Sequence, residues 1–137
     1  MADDPRFLAH LTVAAAEARR AFRTDMAARG FPWHLNASGE VIAHLPPAGL
    51  SQAQLVASMG LSKQAVQQLL DQLEAAGVIR REVDPADRRA RRVMLTELGR
   101  RDRDAQHAAL IALEEQMRER LGKKLFAKLD KALRKLG

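Results

Sequence analysis

Apolar side chains recur every three or four positions along Arg6–Arg29, which places them on one side of a helix. Asp4 followed by Pro5 is typical of a helix start, with an N-cap acceptor and then proline at the first helical position. Gly30 and Pro32 end the same segment. The apolar side consists of Phe7, Leu8, Leu11, Ala15, Ala18, Phe22 and Met26. The pattern therefore predicts a long first helix.

A weaker helical pattern follows the short apolar connector Phe31–His34. Its apolar positions are Val41, Ile42 and Leu45. Asn36 or Ser38 is its predicted cap, and Gly39 lowers its helix propensity. The run Pro46–Gly49 is a clear break in any regular structure.

Two short helices joined by a tight turn are predicted after this break. Ser51 with Gln54 three residues later forms a capping box that starts the first helix, and Gly60 closes it. Only Leu61 intervenes before Ser62, which caps the second helix. Short helices joined by a turn that contains glycine predict a helix-turn-helix.

The helix after Ser62 has two distinct faces, and Gly77 ends it. The apolar face carries Val66, Leu69, Leu70 and Leu73, and the polar face carries Gln64, Gln67, Gln68 and Asp71. Alternation then predicts a strand over Val78–Val83 and a partner strand over Arg92–Leu95, joined by the polar loop Asp84–Arg91. A two-stranded hairpin is not stable alone, so it must pack on the helices.

Two more helices are predicted in the rest of the chain. Thr96 caps the first, with Glu97 in its first turn, and this helix runs to about Leu121. Gly122 breaks the pattern, and a last helix with a lysine-rich polar side follows. Its apolar positions are Leu125, Phe126, Leu129, Leu133 and Leu136.

Composition narrows the possible classes of protein. The 137 residues suit one domain, and 47% hydrophobic residues with only 4% aromatic ones favour a helical core. The net charge of +6 attracts polyanions such as nucleic acid or an acidic membrane surface, but it is equally compatible with a merely soluble basic protein. The chain contains no cysteine, which excludes disulfides and thiol chemistry. Without a long apolar run or a signal-peptide pattern, the expected location is the cytoplasm.

The segment Leu50–Arg101 resembles the MarR family of bacterial transcription regulators. The resemblance rests on Leu-Glu-Ala-Ala-Gly at 73–77, Asp-Pro-Ala-Asp-Arg-Arg at 84–89 and Leu-Thr-Glu-Leu-Gly at 95–99, which occur in the family's order and without gaps. It implies a mainly α fold with a small β-wing: a winged helix-turn-helix lobe at about 36–96, flanked by dimerisation helices at about 5–29 and 97–136, in a single domain over 1–137.

A recognition helix in the major groove presents its exposed early residues to base edges. Here these residues are Lys63, Gln64, Gln67 and Gln68, and the resemblance favours base contacts for Gln64 and Gln67 and a phosphate contact for Lys63. An ordinary solvated helix face is the alternative for each glutamine taken singly. Ser51, Gln52 and Ser62, at helix N-termini, are candidate phosphate contacts.

Three arginines cluster in the predicted wing, and arginine inserts well into a narrow minor groove. They are Arg88, Arg89 and Arg91. A soluble loop is the alternative, but the resemblance favours contact between DNA and at least one of them. Asp87 would repel phosphate, so we expect it to pair with an arginine and hold the shape of the wing.

The terminal helices carry more apolar surface than a small DNA-binding lobe can cover. A monomeric core is one explanation, and a homodimer, which the resemblance also implies, is the one we favour. The resemblance further implies a small aromatic effector bound between the dimerisation helices and the DNA-binding lobe. The candidate residues for that site are His10, Phe31, Trp33 and His34, although for Trp33 we favour the role of a packing anchor.

No pattern of catalytic chemistry is present. The four histidines form no metal-binding pair, and the sequence lacks a glycine-rich phosphate loop and a nucleophile elbow, so we predict no enzyme, no cofactor and no metal. We predict a homodimeric DNA-binding regulator, with repression favoured over activation, that binds a palindromic operator in double-stranded DNA. The alternatives are a non-specific architectural DNA-binding protein and a protein-interaction module with the same fold.

Overall fold

Six α-helices and three short strands form the part of the chain that the structure, a computed structural model, describes, which is residues 4–137. The helices are α1 (Phe7–Ala28), α2 (Ser38–Ala43), α3 (Gln52–Met59), α4 (Lys63–Ala75), α5 (Glu97–Leu121) and α6 (Lys123–Leu136). The strands are β1 (Leu50–Ser51), β2 (Ile79–Val83) and β3 (Arg91–Leu95), and the 3-10 turn Pro32–Leu35 joins α1 to α2. The acidic start, Met1–Asp3, lies outside the described residues.

Local capping residues explain where three of these six helices, α3, α4 and α5, begin. The Ser51 hydroxyl oxygen accepts the backbone N–H of Gln54 at 3.1 Å, and the Gln54 side chain accepts the N–H of Ser51 at 3.0 Å, which completes the predicted capping box. The Thr96 hydroxyl oxygen accepts the N–H of Gly99 at 3.2 Å and starts α5. Gly60 ends α3 in a left-handed conformation, with φ +66°, that glycine adopts without steric cost.

Two of the predicted caps differ from the structure. The prediction that Asp4 caps α1 is wrong, because the helix begins after Arg6 and no side chain caps it. The Asp4 carboxylate is instead paired with the Arg6 guanidinium, which leaves only its backbone carbonyl to accept the N–H of Arg6. Ser38 is the first residue of α2 rather than its cap, and Asn36 accepts the Ser38 N–H at 2.9 Å from a position before the N-cap.

The wing is a three-stranded antiparallel sheet of order β1-β3-β2, so the predicted two-stranded hairpin lacked one strand. The missing strand, β1, pairs Leu50 with Val93. The Arg92 side chain donates to the carbonyl of Ala48 at 2.6 Å and holds the preceding loop against β3. A strand of two residues has no periodicity, so its existence depends on this long-range pairing.

The core lies between α2, α3, α4 and the inner face of the sheet. Its buried residues are Val41, Ile42, Leu45, Leu55, Val66, Leu70, Leu73, Val78, Ile79, Val93 and Leu95. From α4 these are three of the four predicted apolar residues, and the fourth, Leu69, is half-buried against the same cluster. The apolar face of α4 is thereby fixed toward the core, and its polar face is turned outward.

Close backbone contact joins the first turn of α5 to this lobe. A Cβ on Gly99 would collide with the carbonyl oxygen of Val78 and the side chain of Leu95, so only glycine allows this approach. Further along, α5 packs against α1, and α6 packs against α5. The terminal helices bury few side chains: Met26 is the only buried residue of α1, and α6 has none.

Candidate nucleic-acid interface

The outward face of α4 carries the residues that the sequence singled out. The Ser62 hydroxyl oxygen accepts the N–H of Ala65 at 3.1 Å and fixes the start of the helix. The four side chains that follow on this face are all exposed: Lys63, Gln64, Gln67 and Gln68. We call these four residues the glutamine face. Because the opposite side of α4 is buried in the core, the face is held rigidly toward solvent.

One contact links the glutamine face to the start of α3. The Gln52 side-chain amide donates to the Gln67 side-chain oxygen at 3.1 Å. Ser51, the residue before Gln52, is half-buried, and its hydroxyl serves the capping box. The structure thus brings Gln52 and Gln67 together, whereas Ser51 and Ser62 lie at two neighbouring helix N-termini.

The wing loop is ordered by its two aspartates. Asp84, which is buried, accepts the N–H of Ala86 at 2.9 Å, and Asp87 accepts the N–H of Arg89 at 3.0 Å. A backbone bond from Ala90 to the Asp87 carbonyl, at 2.9 Å, closes the turn. Asp87 therefore shapes the wing through the backbone N–H of Arg89, and the expected pairing with an arginine side chain is wrong. The short side chain of Asp87 binds the backbone N–H two residues later more readily than it binds the flexible side chain of an arginine.

The predicted wing arginines point into solvent from this loop. Arg88 and Arg89 are exposed at its tip, and Arg91 is exposed at the first position of β3. We call Arg88 and Arg89 the wing tip. Arg91 also lines a polar cleft between α4 and the sheet, together with Gln52, Gln67, Glu74 and Arg81. Three of the predicted DNA-binding residues thus share one concave surface.

Arg81 is the residue in this region that sequence reasoning missed. Its guanidinium donates to Asp71 at 2.6 Å and to Glu74 at 3.0 Å, and its backbone N–H donates to Glu74 at 3.2 Å. The hydrogen bond from Arg81 lowers the pKa of Glu74, and the same bond raises the pKa of Arg81. Only 15% of the Arg81 side chain is exposed, against 53% for its neighbour Arg80. The sequence contained one signal of this contact: Arg81 falls on the inward side of its strand, and the preceding helix carries two acids.

A second polar cluster lies between α5 and the turn before α2. The buried carboxylate of Asp102 accepts hydrogen bonds from Trp33 Nε1 at 2.6 Å and from Gln106 Nε2 at 2.7 Å. His34 Nε2 lies 2.8 Å from the same carboxylate, and the His34 ring is buried as well. Sequence reasoning missed Asp102, although it interrupts the inward stripe of α5 between Leu98 and Ala109 at helical spacing.

The four candidate effector residues are separated by the fold. Phe31, Trp33 and His34 lie in one turn, where the Phe31 and Trp33 rings meet edge to face with centroids 5.6 Å apart. His10 is exposed near the start of α1, about 18 Å along the helix axis from Phe22, whose ring meets that of His34. A mostly apolar cleft adjoins this turn, and His34 is the only one of the four candidates that lines it. We call it the inter-helix cleft; its lining also includes Arg19, Phe22 and Arg23 of α1 and Gln106 of α5.

Within residues 4–137, no group of three or more histidine, aspartate or glutamate side chains is arranged to hold a metal ion. None of the helices in these residues is both long enough and apolar enough to cross a membrane.

Comparison with known proteins shows which family this lobe resembles. Residues 40–90 match the family model described as MarR family. The apo form of wild-type MarR from E. coli superposes with a TM-score of 0.80, at 18% identity, and the match covers 98% of each chain. A mutant MarR from E. coli complexed with operator DNA gives a TM-score of 0.74 at 18% identity, covering 98% of this chain and 99% of that one. A MarR family transcriptional regulator from a Rhodococcus species gives 0.68 at 24% identity, covering 92% of this chain and 89% of that one.

The resemblance to the MarR family is thereby confirmed: residues 40–90 carry the family's sequence pattern, and the chain has the winged-helix fold of its transcription regulators. The predicted fold class is confirmed as well. The physical roles of the shared motif are now visible. Leu73 is in the core, Asp84 orders the wing, and Gly99 permits the approach of α5 to Val78.

Proposed function

We propose that this chain, with its MarR family fold, is a homodimeric DNA-binding transcription regulator that represses from a palindromic operator. The observation that carries the proposal is the exposure of two basic or polar elements on either side of one cleft. The glutamine face lies on one side, the wing lies on the other, and Gln52, Gln67 and Arg91 line the cleft between them. A winged helix needs this arrangement to place a helix and a loop in neighbouring grooves.

In this proposal α4 enters the major groove and reads base edges. The contact with Gln52 fixes the Gln67 side chain and leaves the Gln67 amide N–H groups able to donate to a purine N7. Gln64 is the second base-reading residue, and Lys63 contacts a phosphate. Ser51 and Ser62, at the N-termini of α3 and α4, direct backbone N–H groups and the positive ends of the helix dipoles toward the phosphate backbone. These phosphate contacts set the register in which the glutamines read the bases.

The wing tip supplies the minor-groove contact. Arg88 and Arg89 extend from a loop whose backbone is fixed by Asp84 and Asp87, so little conformational freedom is lost when they bind. The net charge of +6 adds a long-range attraction for DNA that falls with salt. Asp87 makes no contact with DNA in this account, because its carboxylate is engaged by the Arg89 N–H.

The homodimer is proposed from the apolar surface of the terminal helices. Several large apolar side chains on α1, α5 and α6 are exposed: Phe7, Leu8, Val13, Leu110, Ile111, Leu125 and Leu136. Phe7, Leu8 and Leu136 expose 67%, 71% and 71% of their surface, which is costly in water without a partner. A second copy of the chain covers them and gives two recognition helices for the two halves of a palindrome.

The inter-helix cleft supports the proposal of a small aromatic acid as effector. Arg19 and Arg23 offer positive charge for a carboxylate, and Phe22 offers an aromatic wall. His34 and Gln106 line the same cleft while bonding to Asp102, so an occupant contacts both α5 and the turn before α2. A ligand that prefers one separation of the recognition helices then shifts the protein away from its DNA-bound state. Of the four residues predicted for this site, His34 alone lines the cleft, while Phe31 and Trp33 lie in the same turn as His34. His10 takes no part unless the partner's copy of α1 brings it close.

Two binding measurements test this proposal. Duplexes recovered from a random library by the wild-type protein should bind more tightly than an unrelated duplex of equal length. The double variant Arg88→Ala/Arg89→Ala should bind the recovered duplex at least tenfold more weakly and flatten the slope of log affinity against log salt. The double variant Arg20→Ala/Arg101→Ala is the control, because it removes the same charge from exposed helix positions outside the proposed DNA-binding surface.

The outcomes separate the proposal from its rivals. Equal affinity for recovered and unrelated duplexes indicates a non-specific architectural protein. Absence of binding to any duplex, with both double variants indistinguishable from wild type, indicates a protein-interaction module. Sedimentation at twice the 15.2 kDa chain mass is expected for the homodimer, and a monomer at micromolar concentration contradicts it.

A further inference from the structure

The contact between Arg81 and two acids of α4 joins the recognition helix to the wing. Arg81 lies on β2 opposite the buried Val93 of β3, on the face of the sheet that is directed inward. Its guanidinium reaches Asp71 and Glu74, which are three residues apart and therefore about one turn apart on α4. A single ion pair would let the helix pivot about the contact. Here Nη2 of Arg81 donates to both carboxylates and Nε donates to Glu74 as well, so the contact restrains rotation as well as distance.

The position of this contact gives it a consequence for DNA recognition. Glu74 and Arg81 line the same cleft as Gln52, Gln67 and Arg91. The two acids also lie on the exposed side of α4, where their negative charge would oppose the approach of phosphates. Arg81 therefore has two effects on this surface. Its positive charge compensates the negative charge of Asp71 and Glu74, and its contacts hold α4 in a fixed position relative to the wing.

We propose that Arg81 is a positioning residue for sequence-specific DNA binding, which sets the spacing between the glutamine face and the wing tip. The inference rests on the proposed function, because it assigns a determinant of specificity to the same surface. Base readout and minor-groove insertion must occur together, whereas attraction to phosphates depends on charge alone. Loss of the Arg81 bridge should therefore reduce the preference for the operator much more than it reduces binding to unrelated DNA.

Arg80 provides a matched control on the neighbouring position of the same strand. Its side chain faces the other side of the sheet, where it lies 3.7 Å from Glu82 and is largely exposed. Arg80→Gln and Arg81→Gln remove the same charge from adjacent positions, so their effects on non-specific binding should be similar. Only Arg81→Gln also releases α4 from the wing.

The test measures affinities for the recovered operator duplex and for an unrelated duplex at one salt concentration, with wild-type protein and both variants. The ratio of the two affinities should fall at least tenfold in Arg81→Gln and stay within twofold of wild type in Arg80→Gln. Arg81→Lys, which keeps the charge but lacks the second nitrogen that Arg81 directs at Glu74, should give an intermediate ratio. A ratio within twofold of wild type in Arg81→Gln overturns the inference.

Charge and position are separated by a triple variant, Asp71→Asn/Glu74→Gln/Arg81→Gln. Two negative charges and one positive charge are removed, so binding to unrelated DNA should recover to wild-type strength or above. The specificity ratio should stay low, because the bridge is still absent. Recovery of the ratio would show that Arg81 acts only through its charge, which overturns the positioning role. Where Arg81→Gln does not fold, Asp71→Asn/Glu74→Gln breaks the bridge from the helix side and is judged by the same ratio.

A distance measurement without DNA gives a second, independent readout. The chain contains no cysteine, so spin labels can be placed at Gln68→Cys and Arg88→Cys without background. The labelled protein is diluted with unlabelled protein, so that only distances within one chain are measured. With Arg80 and Arg81 unchanged, the two labels should give a narrow distribution of distances between α4 and the wing. Arg81→Gln should broaden it and Arg80→Gln should not, and an unchanged width in Arg81→Gln overturns the inference. If instead the wild-type protein shows no preference for the operator, the proposed function fails first and the assignment of specificity to Arg81 fails with it.

Discussion

Substitution of Asp102 tests how α5 is joined to the winged-helix lobe. The Asp102 carboxylate is fully buried, and it accepts from Trp33, His34 and Gln106 at 2.6, 2.8 and 2.7 Å. Asp102→Ala removes all three bonds and leaves their donors in place. Asp104→Ala, two residues later at an exposed position of α5, is a control with the same chemical change.

The size of the effect follows from the burial of the three donors. Each buried donor left without a partner costs about 1–3 kcal/mol. His34 is buried, so its donor carries most of this cost, while Trp33 and Gln106 are half-buried and can be reached by water. Removal of the cost of burying a carboxylate offsets part of the loss. We expect Asp102→Ala to lower the free energy of unfolding by about 3 kcal/mol, a large fraction of the roughly 5–15 kcal/mol of a typical domain.

The assay is urea unfolding followed by circular dichroism, at one fixed protein concentration so that the proposed dimer contributes equally to every sample. Trp33 is the only tryptophan, so its fluorescence reports the same turn independently. Asp104→Ala should change the free energy of unfolding by no more than about 0.5 kcal/mol. A loss below about 1 kcal/mol in Asp102→Ala would refute the reasoning, since it would mean that the cluster contributes no more than an exposed ion pair.

Three further predictions concern the contacts that shape the lobe. Gly99→Ala should lower the free energy of unfolding by about 1–3 kcal/mol, because the new Cβ meets the Val78 carbonyl, and a thermal melt equal to wild type would contradict this close approach. Ser51→Ala should cost about 1 kcal/mol through loss of the α3 cap, measured by urea unfolding, whereas no change would show that the capping box is dispensable. Arg81 lowers the pKa of Glu74, so the stability from this contact is present above the ordinary glutamate range and is lost as pH falls through the lowered value. The difference in unfolding free energy between wild type and Glu74→Gln should therefore shrink below about pH 4, and a difference independent of pH between 7 and 3 would contradict it.

Local features of the sequence were sufficient to predict most of the fold. The α3 capping box, the Ser62 cap and the left-handed glycine at 60 are formed by residues within three positions of one another, so their pattern is visible in the sequence. The two faces of α4 follow from helical periodicity, and the structure buries the apolar one. The wing strands were predicted to within one residue at each end.

The features that escaped prediction depend on contacts between distant parts of the chain. Strand β1 is two residues long and exists because it pairs with β3, more than forty residues away. The Arg81 bridge requires knowledge of how β2 crosses α4, and alternation along one strand does not supply it. Asp102 stands on the inward stripe of α5, but its donors lie at Trp33 and His34, which the sequence assigned to an effector site.

Selection of bound duplexes from a random DNA library tests the central claim most directly. The account predicts an inverted repeat whose half-sites are centred about one helical turn, roughly 10 base pairs, apart. The wild-type protein should recover it, and the Arg88→Ala/Arg89→Ala variant should recover it weakly or not at all. A library that remains without any consensus after repeated rounds, although the wild-type protein is folded and retains duplexes, would contradict sequence-specific regulation by this chain.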